Sequence, residues 1–493
     1  MSTRLNIDVL LAVASFCDQS TLCMLIGTCK TLYGTAARYA LNERTVVLRS
    51  DRQIERFLRF MRPQNGQRWQ LLRELEIDTD LLERPYIAKA LASAIRKATH
   101  LEYLKLAPAE VILGSHPDLG PAFASLPSVK HVEIIGVSGL TCQMLEDMRW
   151  PLETAIIERI SIHHLWKDDV DDYNAVNPVE MLRNARSTLG SLSLDTWLGW
   201  GLRSPDIPVY PNMKSLAVMH GHCPPTGPWA TAFPNLEHLK IYTLEHGCLD
   251  VSDEALEIQF ETREENREEH LSRGPWNKLE SFKGAALDLY LVGVPCHIRH
   301  LKLGVSREEL LFLPAALSDA RPTILDLDIY SGMLKGGDND WMLEHLRDPA
   351  LNAVRVLNLR LKLHLPCIAD VPDFLDCLIN GLSPLPLDSL SLNIELERIS
   401  RCVYSSSDTD DTDDTSTERP IRRRRATPPP CATEVYMSTL AVDALAHRFL
   451  EALDSLQSME VDVEYERGLN IEDKHVRRVK SEICTSAPSS ASF

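Results

Sequence analysis

Apolar residues recur along this chain in one local figure, apolar-x-x-apolar-x-apolar, at intervals of roughly twenty to thirty residues. It appears as Leu72, Leu75, Ile77; Leu101, Leu104, Leu106; Val129, Val132, Ile134; Ile157, Ile160, Ile162; and Leu189, Leu192, Leu194. It continues as Met213, Leu216, Val218; Leu236, Leu239, Ile241; Ile298, Leu301, Leu303; and Ile324, Leu327, Ile329. Later copies are Val354, Leu357, Leu359; Leu387, Leu390, Leu392; and Leu456, Met459, Val461, with a degraded one at Leu279, Phe282, Gly284. The last two apolar positions alternate with other residues, which predicts a short strand burying one face. Between the figures lie segments of helical period, such as Ile87–Ala98 and Leu440–Leu456. Three copies share a proline lead-in: LPSVKHVEI from Leu126, YPNMKSLAV from Tyr210 and FPNLEHLKI from Phe233. Proline disfavours helix in the residue before it, so it marks where the preceding helix has stopped.

The first residues follow a different pattern. Leu5, Val9, Leu10, Val13 and Phe16 recur at helix spacing. Leu22, Leu25, Ile26 and Cys29 form a second stripe, and Leu32, Ala36, Tyr39 and Ala40 a third, with Asp18, Gln19 and Ser20 as candidate caps between the first two. Three helices this short enclose little interior. Either they cap the first repeat, or their apolar faces belong to a partner protein.

Two segments interrupt the array. Phe260–His270 (FETREENREEH) is a charged run that reads as a solvated helix or loop. In Arg401–Thr433, SSSDTDDTDDTSTE gives way to RPIRRRRATPPP; with almost no apolar residue it cannot offset its ordering entropy, which predicts disorder.

At its start the chain resembles the F-box family, whose pattern is roughly Leu-Pro-x-Glu/Asp-apolar-Leu, spaced apolar positions, then a second helix closing on Cys-Lys-x-apolar. Leu5, Asp8, Val9, Leu10, Val13, Leu22, Leu25, Cys29, Lys30 and Leu32 fall on it in order. Asn6 stands where the family usually has proline, and its side chain can cap the helix instead. The repeats resemble the degenerate leucine-rich arrays that follow many F-boxes, except that Thr79, Pro108 and Ser138 stand near the place usually held by Asn or Cys. The expected fold is α/β: a short N-terminal helical F-box-like module, then an irregular leucine-rich-repeat solenoid with parallel strands on the concave face and helices outside. The expected boundaries are 1–45 for the module, 46–400 for the repeats, 401–435 for a disordered insert, 436–480 for the last repeat and cap, and 481–493 for a disordered tail.

The resemblance implies a substrate-recognition subunit of a cullin-RING (SCF-type) ubiquitin ligase. The F-box would bind a Skp-type adaptor, and through it the cullin scaffold, while the repeats hold an unidentified protein substrate. Such a protein does no bond chemistry; it raises the local concentration of a substrate lysine. Carried over for adaptor contact are Leu5, Asp8, Val9, Leu10, Leu22, Leu25 and Leu32. The rival reading is a leucine-rich protein-interaction scaffold with a helical cap and no ligase link.

Composition narrows the partners. The chain has 493 residues and 44% hydrophobic content, beyond one compact core but ordinary for folded protein. A net charge of -18 argues against nucleic acid and anionic membrane as partners. The start carries no secretory pattern, so the twelve cysteines read as reduced core residues in a cytoplasmic or nuclear protein. No Walker loop, GxSxG elbow or HExxH occurs, so neither catalytic residues nor a cofactor are expected. His220, His222 and Cys223 with His246 and Cys248 do not match a paired zinc spacing, and no metal site is expected. Asp168, Asp169, Asp171 and Asp172 read as a solvated acidic loop. Arg422–Arg425 read either as an import or anionic-partner patch or as a counter-charge to Asp408–Asp414.

One substrate surface follows from the alternation. Residues between the apolar positions point away from the core. In three successive copies these are His238 and Lys240, Ser281 and Lys283, and His300 and Lys302. The three lysines are expected to form a basic column suited to an acidic or phosphorylated peptide.

Overall fold

The computed structural model describes residues 6–159, 177–195, 207–221, 226–243, 252–274, 276–306, 308–330, 345–365, 371–398, 432–466 and 474–482. They form two compact units, Met1–Glu245 with Ile258–Leu279, and His246–Glu257 with Glu280–Phe493.

The first unit opens with four helices, α1 (Ile7–Phe16), α2 (Gln19–Thr28), α3 (Lys30–Thr35) and α4 (Ala37–Asn42). The third apolar stripe is therefore two helices, which meet at Ala36. Asn6 caps α1 by accepting the Asp8 amide at 3.2 Å. Asp18 caps α2 by accepting the Thr21 amide at 2.8 Å, and this bond, with a second from the Thr21 hydroxyl, holds its carboxyl below the ordinary value.

Strands follow in chain order: β1 (Val46–Leu48), β2 (Glu74–Asp78), β3 (Tyr103–Ala107), β4 (His131–Ile135), β5 (Thr154–Glu158), β6 (Ser191–Asp195), β7 (Ser215–Gly221) and β8 (His238–Thr243). Each pairs in parallel with the next. Two inward side chains per strand carry the core: Leu75 and Ile77, Leu104 and Leu106, Val132 and Ile134, Leu192 and Leu194 are all buried. Helices such as Pro85–Ile95 cover them with Ile87, Leu91 and Ile95.

The second unit repeats the plan with β9 (Ser281–Ala285), β10 (His300–Val305), β11 (Ile324–Tyr330), β12 (Val356–Leu365), β13 (Ser389–Arg398) and β14 (Ser458–Glu466), all parallel. A last strand, β15 (Lys474–Glu482), runs antiparallel to β14. Each unit is thus α/β, a strand-and-helix stack advancing in one direction.

Several expectations change. The copy expected at Ile157, Ile160 and Ile162 is instead Leu152, Ala155 and Ile157, because Ala155 pairs with Val132 and with Leu192; Ile160 and Ile162 lie outside the described residues. Alanine is a weak apolar signal, so the isoleucine run downstream concealed the true register. In β11 the paired inward residues are Leu325 and Leu327, two positions earlier than expected. A slip of two leaves the same face inward, so no side chain changes sides. Strands β1 and β15 lie outside the repeating figure. The charged run is part of a helix, Asp253–Arg273, with one face buried rather than solvated. There Asn266 Oδ1 accepts the Thr226 amide at 2.8 Å and His270 Nε2 meets the Thr226 hydroxyl at 2.9 Å. Most of the expected insert lies outside the described residues, but a helix, Ala432–Thr439, begins within its span; β15 runs two residues into the span assigned to the tail, and the rest of that span lies outside the described residues.

The proline lead-ins serve the turns. Ser128 donates to Leu101 O at 2.8 Å, Asn212 to Ser187 O at 2.6 Å, and Asn235 to Pro211 O at 2.9 Å, each reaching back one repeat. Buried tryptophans tie successive repeats: Trp150 Nε1 donates to Phe123 O at 3.2 Å and Trp276 Nε1 to Phe233 O at 3.0 Å.

The alternation makes a contrast of neighbours. Leu192→Ala should cost about 2–5 kcal/mol through lost contacts and a cavity, whereas Ser193→Ala should stay within about 0.5 kcal/mol. Urea unfolding of the two variants checks this.

Candidate functional site

Three surfaces hold the candidate residues. The first is the helical module. Its core joins Ala14, Leu22, Ile26, Leu32, Ala36 and Ala40, with Ile7, Leu10, Leu11 and Leu25 packed against them. Of the residues carried over for adaptor contact, Leu22 and Leu32 therefore sit inside the module, where a partner reaches them only by opening it. Leu10 and Leu25 are half-buried, Asp8 and Val9 are exposed, and Leu5 lies outside the described residues.

Helix α1 is apolar on both sides. Its outer side exposes Val9 (47%), Val13 (48%) and Phe16 (90%), at i, i+4 and i+7, and α2 adds Met24 (67%). Val9, Val13 and Phe16 line up along one face of α1 as an uncovered apolar stripe rather than scattered exposure. The sequence stripes contain Val13 and Phe16; the depth of each side chain is what periodicity could not assign.

The module is fastened to the repeats by a buried guanidinium. Arg68 donates to Phe60 O at 2.6 Å and to Tyr33 O. It also stacks 4.2 Å from the Tyr33 ring centre and 4.4 Å from that of Phe60. Arg44 reaches from beside β1 to Cys17 O at the end of α1.

The second surface is the strand side of the first unit. Glu133 receives Lys105 Nζ at 2.6 Å and the Tyr103 hydroxyl at 3.1 Å. Burial, then the Glu133 charge, pushes the Tyr103 phenol up, and the bond to Glu133 raises Lys105. Lys240 lies on β8 of this unit, its Nζ 5.1 Å from the Tyr242 ring centre, two residues from His238.

The third surface is the strand side of the second unit. Lys283 and Lys302 are register partners, and His300 stands opposite Ser281. The next strand turns acidic: Asp326 partners Lys302, with Asp328 two residues on. Across β10–β14 one row reads Lys302, Asp326, Asn358, Ser391, Glu460, and the next Gly304, Asp328, Arg360, Asn393, Asp462. These rows surround a cavity of about 280 Å³. Asp326 accepts Asn358 Nδ2 at 2.6 Å and lies 3.0 Å from His300 Nε2. Arg360 bridges Asp328 at 3.6 Å and Glu395 at 3.2 Å. Asp462 is only 4% exposed. The expected lysines end at β10; carrying the alternation one strand further reaches Asp326 and Asp328, and four strands further Glu460 and Asp462.

Neither the family models nor the curated proteins contain a match to this chain. Among the described residues no group of three or more His, Cys, Asp or Glu is placed to hold a metal ion, and no helix is long and apolar enough to cross a membrane. Of the zinc candidates, His222, Cys223, His246 and Cys248 lie outside the described residues, as do Asp168–Asp172 and Arg422–Arg425. Burial, with the nearby Glu110 and Glu146 charges adding to it, pushes the Cys142 thiol up to about 11, and burial pushes Cys296 up to about 12, which leaves them as unreactive thiols near neutral pH.

Arg68→Met should lower stability by about 2 kcal/mol or more, since two part-buried carbonyls lose a charged donor and two rings lose a cation. Limited proteolysis should then cut first around residues 30–45, upstream of the strands.

Proposed function

We propose that this chain is a substrate-recognition subunit of a cullin-RING ubiquitin ligase. In this reading the helical module docks on a Skp-type adaptor and the strand faces of the repeats hold a protein substrate. The observation that carries it is the uncovered apolar stripe of Val9, Val13 and Phe16 along α1, with Met24 also exposed on α2, on a module whose own core is already filled by Leu22, Ile26 and Leu32. Those exposed side chains are surplus to the module's folding, and surplus apolar surface suits a partner. The ordered F-box-like residues name the partner class. The long array of polar outward positions supplies extended surface for a second protein.

A specific observation favours a second reading. Arg68 and Arg44 bind the module to the repeats, as a helical end cap of an interaction scaffold would require. The two readings differ only in whether the patch has a partner.

Co-purification with a Skp-type adaptor decides between them. Wild-type chain should capture the adaptor. Val13→Asp combined with Phe16→Asp should reduce capture at least tenfold, about 1.4 kcal/mol, while the melting curve stays close to wild type because both side chains are exposed. Undiminished capture by the double variant, or none by the wild type, sinks the ligase reading.

A further inference from the structure

The strand side of the second unit places cations at its β9–β10 end and carboxylates from β11 onward, and nothing in the repeat pattern requires this. Lys283 and Lys302 stand on β9 and β10, while Glu460, Asp462 and Glu464 stand on β14. Between them stand Asp326 and Asp328 on β11, Arg360 on β12, and the short uncharged side chains of Asn358, Ser391 and Asn393. Two cations and four carboxylates line the cavity, a balance of -2. Arg360 is held by Asp328 and Glu395, and Asp326 is engaged by Asn358 and His300. By contrast, Asn393 Oδ1 is buried with no hydrogen-bond partner. A buried acceptor left this way is costly until a donor arrives. At about 280 Å³ the space falls at the lower edge of small-molecule sites and suits one long side chain.

Resting on the reading of the strand faces as substrate surface, we propose that this face docks an extended protein segment carrying both charges. A lysine or arginine side chain enters the cavity above Asn393, flanked by Asp326 and Asp328 on one side and Glu460 and Asp462 on the other. An acidic residue of the same segment reaches Lys302 and Lys283. From β13 to β9 is about 19 Å at ordinary strand spacing, the reach of roughly six extended residues. The charge separation on the segment thereby sets which sequences fit and which way they lie. The expected partner differs from the purely acidic peptide suggested by the lysines alone.

The test uses the full chain without adaptor and three fluorescein-labelled peptides. One carries two glutamates and two arginines separated by six Gly/Ser residues, one carries four glutamates, and one four arginines. Anisotropy should show the mixed peptide binding at least tenfold tighter than either uniform one. Glu460→Lys should weaken the mixed peptide at least tenfold and shift preference to the four-glutamate peptide, a gain that an unfolded variant cannot give. Equal binding of the mixed and four-arginine peptides, or no binding by any, overturns the proposal. Binding that emerges only when Arg422–Arg425 are replaced by serine also overturns it, because the occupant is then the chain's own basic run. Adaptor capture is measured on a separate sample, so loss of capture with peptide selectivity intact fails the ligase reading alone.

Discussion

Everything in this protein depends on inward side chains, two to four on a strand, that a single repeat cannot bury. Leu104 and Leu106 are sealed only because β2 and β4 place Leu75, Ile77, Val132 and Ile134 beside them in register. A parallel strand has no hairpin partner and needs a covering helix on its apolar face. Each repeat therefore supplies one strand and one helical layer and borrows the rest from its neighbours. Within the second unit the antiparallel β15 ends this dependence, since it pairs with β14 without requiring another repeat beyond it. Its sequence, KHVRRVKSE, is dense in cations, and charge along an edge strand discourages further strand addition.

The same constraint explains how the turns tolerate unequal repeat lengths. A regular side-chain ladder would force every loop to one length. Here Ser128, Asn212 and Asn235 each reach back to a carbonyl of the previous repeat, while Trp150 and Trp276 close the helix ends. These bonds act locally, so one repeat can lengthen without disturbing the next. The helix Asp253–Arg273 shows the limit of this freedom. It packs through the buried polar residues Arg263, Asn266 and His270 rather than through apolar ones, and so matches no apolar template.

The repeat architecture was legible because alternation at strand positions is strong and recurs often. Register failed at β5, where the inward residue is Ala155 and stronger apolar residues follow it. It shifted harmlessly at β11, where ILDLDI alternates throughout. The helical module was legible as stripes, but not as inside and outside, because α1 has apolar residues on both sides and only the packing of α2 and α3 assigns Ala14 inward and Phe16 outward. On the strand side, the pairing of Lys283 with Lys302 followed from the pattern. The answering carboxylates did not, since a binding face is a property of several registers at once and each adds its own uncertainty.

The two candidate surfaces differ in the physics they offer a partner. The stripe along α1 is apolar, and burying it gains free energy in proportion to area with little dependence on which apolar side chains answer it. The strand face of the second unit is polar: Arg360 bridges Asp328 and Glu395, and Asp326 is engaged by Asn358 and His300. A partner there must match charges that are fixed in place, or leave some of them desolvated and unpaired. The first kind of surface suits one constant companion. The second discriminates among many, with modest affinity and rapid exchange. In the proposed division of labour a recognition subunit needs one of each, because a fixed attachment to a shared scaffold and a selective, releasable hold on substrate place opposite demands on a surface.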